Sequence, residues 1–181
     1  MKIINHWLTD CCHIPSPNFD SRPDVEDIAL VVIHCISLPP GEFGGGFIDE
    51  LFLNQLNPEQ HDYFAGIHNL KVSAHVLIRR DGSYTQYVGF NQRAWHAGVS
   101  MYQGRERCND FSIGIELEGI ETVAYTEAQY QALVELIKCL KQTYPLLSEQ
   151  AIVGHSDIAP GRKTDPGESF DWQKLRAMLS A

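Results

Sequence analysis

The sequence lacks several features that would place a protein in a class at once. No apolar run reaches the roughly 18 residues that a membrane-spanning helix needs. There is no low-complexity tract, no internal repeat and no linker rich in serine or glycine. The formal net charge of −9 disfavours binding to nucleic acid or to an anionic membrane, because both require a basic face. We therefore expect one globular domain over residues 1–181, with no nucleic-acid or membrane partner.

The cysteines also lack a pattern. There are five, two of them adjacent (Cys11 and Cys12), and no pair has C-x-x-C spacing. This arrangement disfavours a disulfide framework and a zinc site made only of cysteines. The first residues contain no apolar run of signal-peptide length. Reduced thiols in a reducing compartment are the simplest interpretation, so we expect a cytoplasmic protein that folds without disulfides or an obligate protein partner.

The sequence does contain a mixture of strand and helix patterns, which predicts an α/β domain. The run Ile28–Ile36 is continuous and rich in β-branched residues, as in a strand buried on both faces. Thr126 and Gln129 form a capping-box pattern, and apolar residues follow at helical spacing until Tyr144 and Pro145. The other predicted elements are a helix from Pro58 to about Ile67, strands over 72–79 and 84–88 joined at Asp81-Gly82, strands over 111–117 and 151–153, an irregular loop over 154–168, and a helix over 170–179.

Polar residues at three predicted strand ends are the candidates for chemistry. His34, Glu116 and His155 each follow or end an apolar run, and such ends are where α/β proteins place ligands. Asp165 lies in the same Pro/Gly-rich loop as His155. A catalytic zinc takes three protein ligands and leaves the fourth position to water, and His34, His155 and Asp165 would supply that set. A single histidine beside an apolar run is more often a hydrogen-bonded core residue, so the spacing leaves both interpretations open.

Longer and less regular motifs resemble a known family over nearly the whole chain. These motifs are Pro15-Ser-Pro17, Ile36 to Gly45, Ser73-Ala-His75, Arg93 to Ser100 and Tyr102 to Gly119. They resemble the zinc-dependent N-acetylmuramoyl-L-alanine amidases, and most closely the cytosolic members that act on 1,6-anhydro-muropeptides. The resemblance implies a central mixed β-sheet flanked by helices. It also implies that Zn2+ is bound by His34, His155 and Asp165, and that Glu116 and Lys163 form the catalytic pair.

The implied reaction is hydrolysis of the amide bond between the lactyl group of 1,6-anhydro-N-acetylmuramic acid and L-alanine, during cell-wall recycling. A muropeptide carries several carboxylates, so an acidic enzyme needs local cations. Lys71 and Arg107 are the preferred candidates, with Arg105 as another, and Trp95 is a candidate for stacking on the sugar. Composition alone favours a solvated surface arginine for Arg107, and a core tryptophan accounts for Trp95 as well as stacking does.

The sequence departs from the family pattern at three positions. Ala74 stands where phage and animal relatives have a catalytic tyrosine, so that role must pass to Glu116. Cys35 replaces an asparagine beside the metal histidine, and Lys71 replaces an arginine that contacts the substrate. Three alternatives remain: an amidase acting on intact peptidoglycan, a non-catalytic peptidoglycan-binding domain, and a structural α/β domain with coincidental histidines.

Overall fold

The structure, a computed structural model, describes residues 1–181. The strands are β1 (Ile3–Ile4), β2 (Trp7–Leu8), β3 (Cys12–His13), β4 (Phe19–Ser21), β5 (Leu30–Ile36), β6 (Val76–Ile78), β7 (Tyr84–Gln86), β8 (Gln92–Ala94), β9 (Met101–Tyr102), β10 (Arg105–Glu106), β11 (Ser112–Glu118) and β12 (Ile152–Gly154). The helices are α1 (Phe47–Phe52), α2 (Asp62–Ala65), α3 (Glu127–Thr143), α4 (His155–Ile158) and α5 (Trp172–Ser180).

A six-stranded mixed sheet forms the centre of the molecule. Its strand order is β12-β5-β11-β6-β7-β3. The first four strands are parallel to their neighbours, and β7 pairs antiparallel with β6. The remaining strands form three separate two-stranded ribbons. The expectation of a single domain with a central mixed sheet flanked by helices is confirmed.

The two faces of this sheet have different roles. Because side chains alternate along a strand, Val31 and Ile33 of β5 lie on one face, in a core cluster with Leu133 and Ile137 of α3. The alternate residues of β5 and β11 lie on the other face. There His34 and Glu116 are paired in register on adjacent parallel strands. Helix α3 therefore covers one face, and the opposite face presents these two polar side chains side by side.

Helix α3 forms where the sequence predicts it. The Thr126 hydroxyl accepts from the Gln129 backbone N–H at 3.1 Å, and the Gln129 side chain accepts from the Thr126 N–H at 3.1 Å. These bonds satisfy amides that have no partner within the helix. The helix ends at Thr143, just before Tyr144 and Pro145.

The short helices differ from the prediction. Of the helix expected over 58–67, only α2 is helical, because the side chain of His61 caps its first turn and the chain turns again at Gly66. Helix α1 lies in a region where no helix was predicted, since its N-cap, Gly46, offers no side-chain cap. Burial of Ile48, Leu51 and Phe52 stabilises it instead.

Candidate metal centre

Three side chains converge where β5 and β12 end. His34 Nδ1 lies 3.0 Å from His155 Nδ1 and 3.1 Å from Asp165 Oδ2, and His155 Nδ1 lies 3.1 Å from the same oxygen. Of the His, Cys, Asp and Glu residues, these three form the one group whose potential ligand atoms come within 4.8 Å of one another. The structure thus brings together all three residues that the sequence predicts as metal ligands.

The backbone explains this convergence. Strand β12 pairs parallel with β5, with Gly154 opposite Ile33, so the next residues of each strand, His155 and His34, emerge together. The loop then returns to the same point, because the Ser156 N–H donates to the Asp165 carbonyl at 3.0 Å. A Cβ on Gly154 would lie 2.9 Å from Pro166 Cδ, so a side chain there would push the two ends of the loop apart.

The hydrogen bond made by the outer nitrogen of an imidazole ring determines whether the nitrogen facing the other two side chains has a proton or a lone pair. His155 Nε2 lies 3.0 Å from the Ala97 carbonyl, which only accepts, so this nitrogen bears the proton. His155 Nδ1 then has a lone pair that faces the carboxylate of Asp165 and the ring of His34. Such a group of acceptors repels itself unless a proton or a cation lies among them. Two imidazole nitrogens and one carboxylate oxygen are a donor set that suits zinc.

Electrostatics keep these three side chains in the forms that metal binding requires. Burial lowers the pKa of His34 to about 4, although its hydrogen bond to Asp165 acts in the opposite direction. Burial would raise the pKa of Asp165, but the hydrogen bonds to His155 and His34 outweigh it and hold that pKa well below the usual range. Near neutral pH the imidazole of His34 is therefore neutral and the carboxylate of Asp165 is charged.

Glu116 lies beside His34 on the neighbouring strand, with one carboxyl oxygen that has no hydrogen-bond partner. This oxygen, Oε2, is buried. Burial raises the pKa of Glu116 well above the usual range, and the charge of Asp165 raises it further, whereas the charge of Lys163 lowers it. A buried carboxyl group with raised pKa and a free oxygen is suited to accept and return a proton.

A cleft of about 760 Å³ connects these groups. Its lining includes His34, Glu116, His155, Lys163 and Asp165, together with Trp95 and an apolar wall formed by Leu38, Ile67, Leu70, Val72 and Ile120. Lys163 is exposed and follows Arg162, whose guanidinium donates to the carbonyls of Ala97 and Val99. Six of the eight residues predicted for the site therefore share one cleft.

The other two predicted substrate residues lie outside this lining. Lys71 is exposed between two residues that do line the cleft, Leu70 and Val72. Arg107 lines a separate hollow beside Met101 and Pro160, and its side chain, 71% exposed, pairs with Asp110 at 3.2 Å. Arg105 pairs instead with Asp27. Their roles in substrate binding stay predictions.

Two side chains near the three converging residues did not enter the predicted site. His96 Nδ1 lies 2.9 Å from His34 Nε2, and Arg162 shares the Ala97 carbonyl with His155. Sequence spacing carries no signal for either contact, because one joins a loop to strand β5 and the other joins two distant loops. Cys35 packs against the core cluster on the α3 side, on the face opposite to His34. No helix in the structure is long and apolar enough to span a membrane.

Comparisons with known proteins agree with this arrangement. The family described as N-acetylmuramoyl-L-alanine amidase matches residues 24–168. The 1,6-anhydro-N-acetylmuramyl-L-alanine amidase AmpD of Citrobacter freundii is 60% identical over 180 residues, covering 99% of this chain and 96% of that protein. The crystal structure of a selenomethionine derivative of AmpD has a TM-score of 0.96 at 59% identity, with 99% of each chain covered.

A more distant structure contains a ligand. The amidase AmiD from Escherichia coli, in complex with the substrate anhydro-N-acetylmuramic acid-L-Ala-D-γ-Glu-L-Lys, has a TM-score of 0.61 at 30% identity. That alignment covers 87% of this chain and 58% of the AmiD chain. With the fold, the cleft and the full-length similarity to AmpD, the chain belongs to the N-acetylmuramoyl-L-alanine amidase family.

Proposed function

We propose that this protein is a zinc-dependent amidase of cell-wall recycling. Its reaction is hydrolysis of the amide bond between the lactyl group of 1,6-anhydro-N-acetylmuramic acid and L-alanine in muropeptides. The observation that carries the proposal is the full-length similarity to AmpD, at 60% identity, in a chain whose cleft contains the converging His34, His155 and Asp165. AmiD, which has the same fold, is seen with a substrate of this class.

The proposal assigns the metal to His34, His155 and Asp165. Zinc held there supplies Lewis acidity towards water and towards a carbonyl oxygen. The donor set is two nitrogens and one carboxylate oxygen, which would leave a coordination position for water or substrate. His75 and the half-buried His96 stay outside this set, because neither has a ring nitrogen in the group of converging ligand atoms.

Glu116 is proposed as the general base and acid. Its unpartnered Oε2 takes a proton from the attacking water and later gives it to the departing amine of L-alanine. The raised pKa of Glu116 favours its protonated form, which suits donation of the proton to the amine. The positive charge of Lys163 lowers that pKa and so favours the carboxylate that takes the proton from water.

Lys163 is proposed to stabilise charge in the transition state. The Lys163 backbone N–H donates to the Ala159 carbonyl at 3.0 Å, which fixes the loop position from which its side chain enters the cleft. Its ammonium group would compensate the negative charge that develops on the carbonyl oxygen of the substrate.

We also propose that residues 1–181 form one amidase domain that acts in the cytoplasm. Strands of the sheet come from positions between Cys12 and Gly154, and Leu175 of α5 packs into the same core as α3. All five cysteines are free thiols, which is typical of a reducing compartment. Cell fractionation that finds the protein with the periplasmic or secreted fraction would contradict this location.

The decisive assay compares matched substrates. We expect faster release of peptide from an anhydro-muropeptide than from the same muropeptide with a reducing sugar end or from intact peptidoglycan, with mass spectrometry identifying a free L-alanine amino terminus. Activity mainly on intact peptidoglycan would support the wall-degrading alternative. Zinc binding and muropeptide binding without cleavage would support a binding domain.

Glu116→Gln provides the control for that assay. The substitution keeps the shape of the side chain but removes its ability to take a proton, so we expect zinc to be retained while kcat falls about 100- to 10,000-fold. Residual activity at the wild-type level would rule out Glu116 as the base.

A further inference from the structure

A row of hydrogen bonds extends behind His34, away from the cleft. His34 Nε2 lies 2.9 Å from His96 Nδ1, and His96 Nε2 lies 3.1 Å from the hydroxyl of Ser112. The two rings meet edge to face, with centroids 5.0 Å apart. His96 thus has both ring nitrogens occupied, one by a proposed metal ligand and the other by a strand residue.

The fold provides a space for the His96 ring in this position. A Cβ on Gly114 of β11 would lie 2.6 Å from His96 Nδ1 and closer still to Cγ, so the ring lies against strand backbone that only glycine leaves open. The backbone of His96 is also fixed, because the Asn109 side-chain oxygen accepts from the N–H groups of His96 and Ala97 at 3.2 and 2.8 Å. Ring and backbone are therefore both held in place.

The directions of these hydrogen bonds follow from the metal site. His34 Nδ1 faces His155 and Asp165, so a cation bound there requires a lone pair on Nδ1 and a proton on Nε2. The Nε2–H then donates to His96 Nδ1, which must be unprotonated. The proton of His96 consequently lies on Nε2 and is donated to the Ser112 hydroxyl.

We propose that His96 is a positioning residue that orients His34 and fixes its tautomer for zinc binding, without itself being a ligand. This inference rests on the zinc site of the proposed function. His155 differs in that its Nε2 donates to a backbone carbonyl, that of Ala97 at 3.0 Å, with the Arg162 guanidinium at 3.5 Å from the same nitrogen. Partners of this kind raise the basicity of a ligand and typically change metal affinity about 10- to 100-fold when removed.

The test measures the zinc dissociation constant by competition with a chromophoric chelator, using the full chain. His96→Ala removes the acceptor, and Gly114→Ala displaces the ring while leaving its chemistry intact. His96→Asn keeps an acceptor oxygen near the position of Nδ1. His13→Ala is the matched control, because this exposed histidine lies on β3 at the far edge of the sheet.

We expect zinc affinity to fall about 10- to 100-fold in His96→Ala and Gly114→Ala, to recover largely in His96→Asn, and to stay unchanged in His13→Ala. Substitution of Co2+ for zinc provides a second readout, since a reoriented His34 would alter the visible absorption spectrum. Wild-type affinity and an unchanged Co2+ spectrum in His96→Ala would overturn the proposal.

A measurement on the unaltered protein keeps the test independent of folding. Long-range ¹H–¹⁵N correlation spectra of the zinc-loaded protein should show His96 protonated on Nε2 only, and a proton on its Nδ1 would overturn the proposal. The controls separate this inference from the zinc site itself. If the wild type binds no zinc, the proposed function fails as well. If Asp165→Ala loses zinc but His96→Ala keeps the wild-type zinc affinity, only the role of His96 fails.

Discussion

The inner end of the cleft and its outer surroundings differ in how their side chains are held. At the inner end, His34, His155 and Asp165 contact one another within 3.1 Å, and backbone pairing between parallel strands sets the spacing of the two histidines. Outside, Lys71 and Arg107 are exposed on connecting segments, and neither lines the cleft. Exposed side chains keep rotamer freedom that buried ones lose. We therefore expect inner residues to decide whether the reaction occurs and outer residues to adjust affinity.

The largest effect is expected at the inner end, from Asp165→Ala. Its carboxylate oxygen lies 3.1 Å from both imidazoles, so its loss would remove one of the three proposed ligands and the only negative charge among them. Zinc content by elemental analysis and amidase activity should both fall to background. Glu168→Ala, an exposed carboxylate in the same loop, should leave both unchanged. Retention of zinc by Asp165→Ala would remove Asp165 from the ligand set.

A smaller effect is expected from Lys163→Ala, at the boundary between the two regions. This side chain lines the cleft but is exposed and is not among the converging ligand atoms. Zinc should be retained, whereas kcat should fall about 100- to 1,000-fold because a charge that stabilises the transition state is lost. Lys138→Ala, an exposed lysine on α3, serves as the control. A near-normal kcat in Lys163→Ala would show that this lysine has no catalytic role.

Substitutions outside the cleft should have modest effects. Arg107→Ala and Lys71→Ala each remove one exposed charge, and exposed ion pairs contribute at most about 1 kcal/mol. We expect KM for a muropeptide with a full peptide to rise about 2- to 5-fold, with kcat nearly constant. The increase should shrink as salt is added, since salt screens exposed charges. A large fall in kcat for either variant would place it with the inner residues and contradict the comparison.

The smallest effect near neutral pH is expected from the buried histidine His75, and it concerns stability rather than the reaction. Burial lowers the pKa of His75 to about 3, and the Arg22 guanidinium contributes in the same direction. Below pH about 6.5 the unfolded chain takes up a proton at this position while the folded chain does not, so the free energy of unfolding falls with acidification towards pH about 3. Denaturation between pH 4 and 7 should show a shallower pH slope for His75→Asn than for the wild type. An equal pH slope in His75→Asn and in the wild type would contradict the assignment.

The same contrast explains how far the sequence predicts the structure. The central strands and α3 follow from apolar runs and from the capping box at Thr126, which are local signals that the structure confirms. Parallel strands end at the same edge of a sheet, so the prediction that these strand ends meet already places His34, Glu116 and His155 together. Asp165 followed from the rigid loop after His155.

The remaining features depend on contacts between distant segments. Helices α1 and α4 are too short to leave a periodic pattern, and α1 forms because its apolar residues pack against the rest of the chain. The contact of His96 with His34 crosses 62 positions and depends on the space above Gly114. Neither the residue types nor their spacing in the sequence indicates this contact between His96 and His34. The position of Arg107 in a separate hollow likewise depends on how an exposed loop folds back.

Zinc K-edge X-ray absorption on the zinc-loaded protein tests the central claim most directly. The account predicts a first shell of two imidazoles and light oxygen donors, from His34, His155, Asp165 and water, at about 2.0–2.2 Å, with no sulfur. Cys35 follows His34 in the sequence but packs on the other face of the sheet, so its thiol should not contribute. A sulfur shell near about 2.3 Å, or a protein that binds no zinc, would contradict the account.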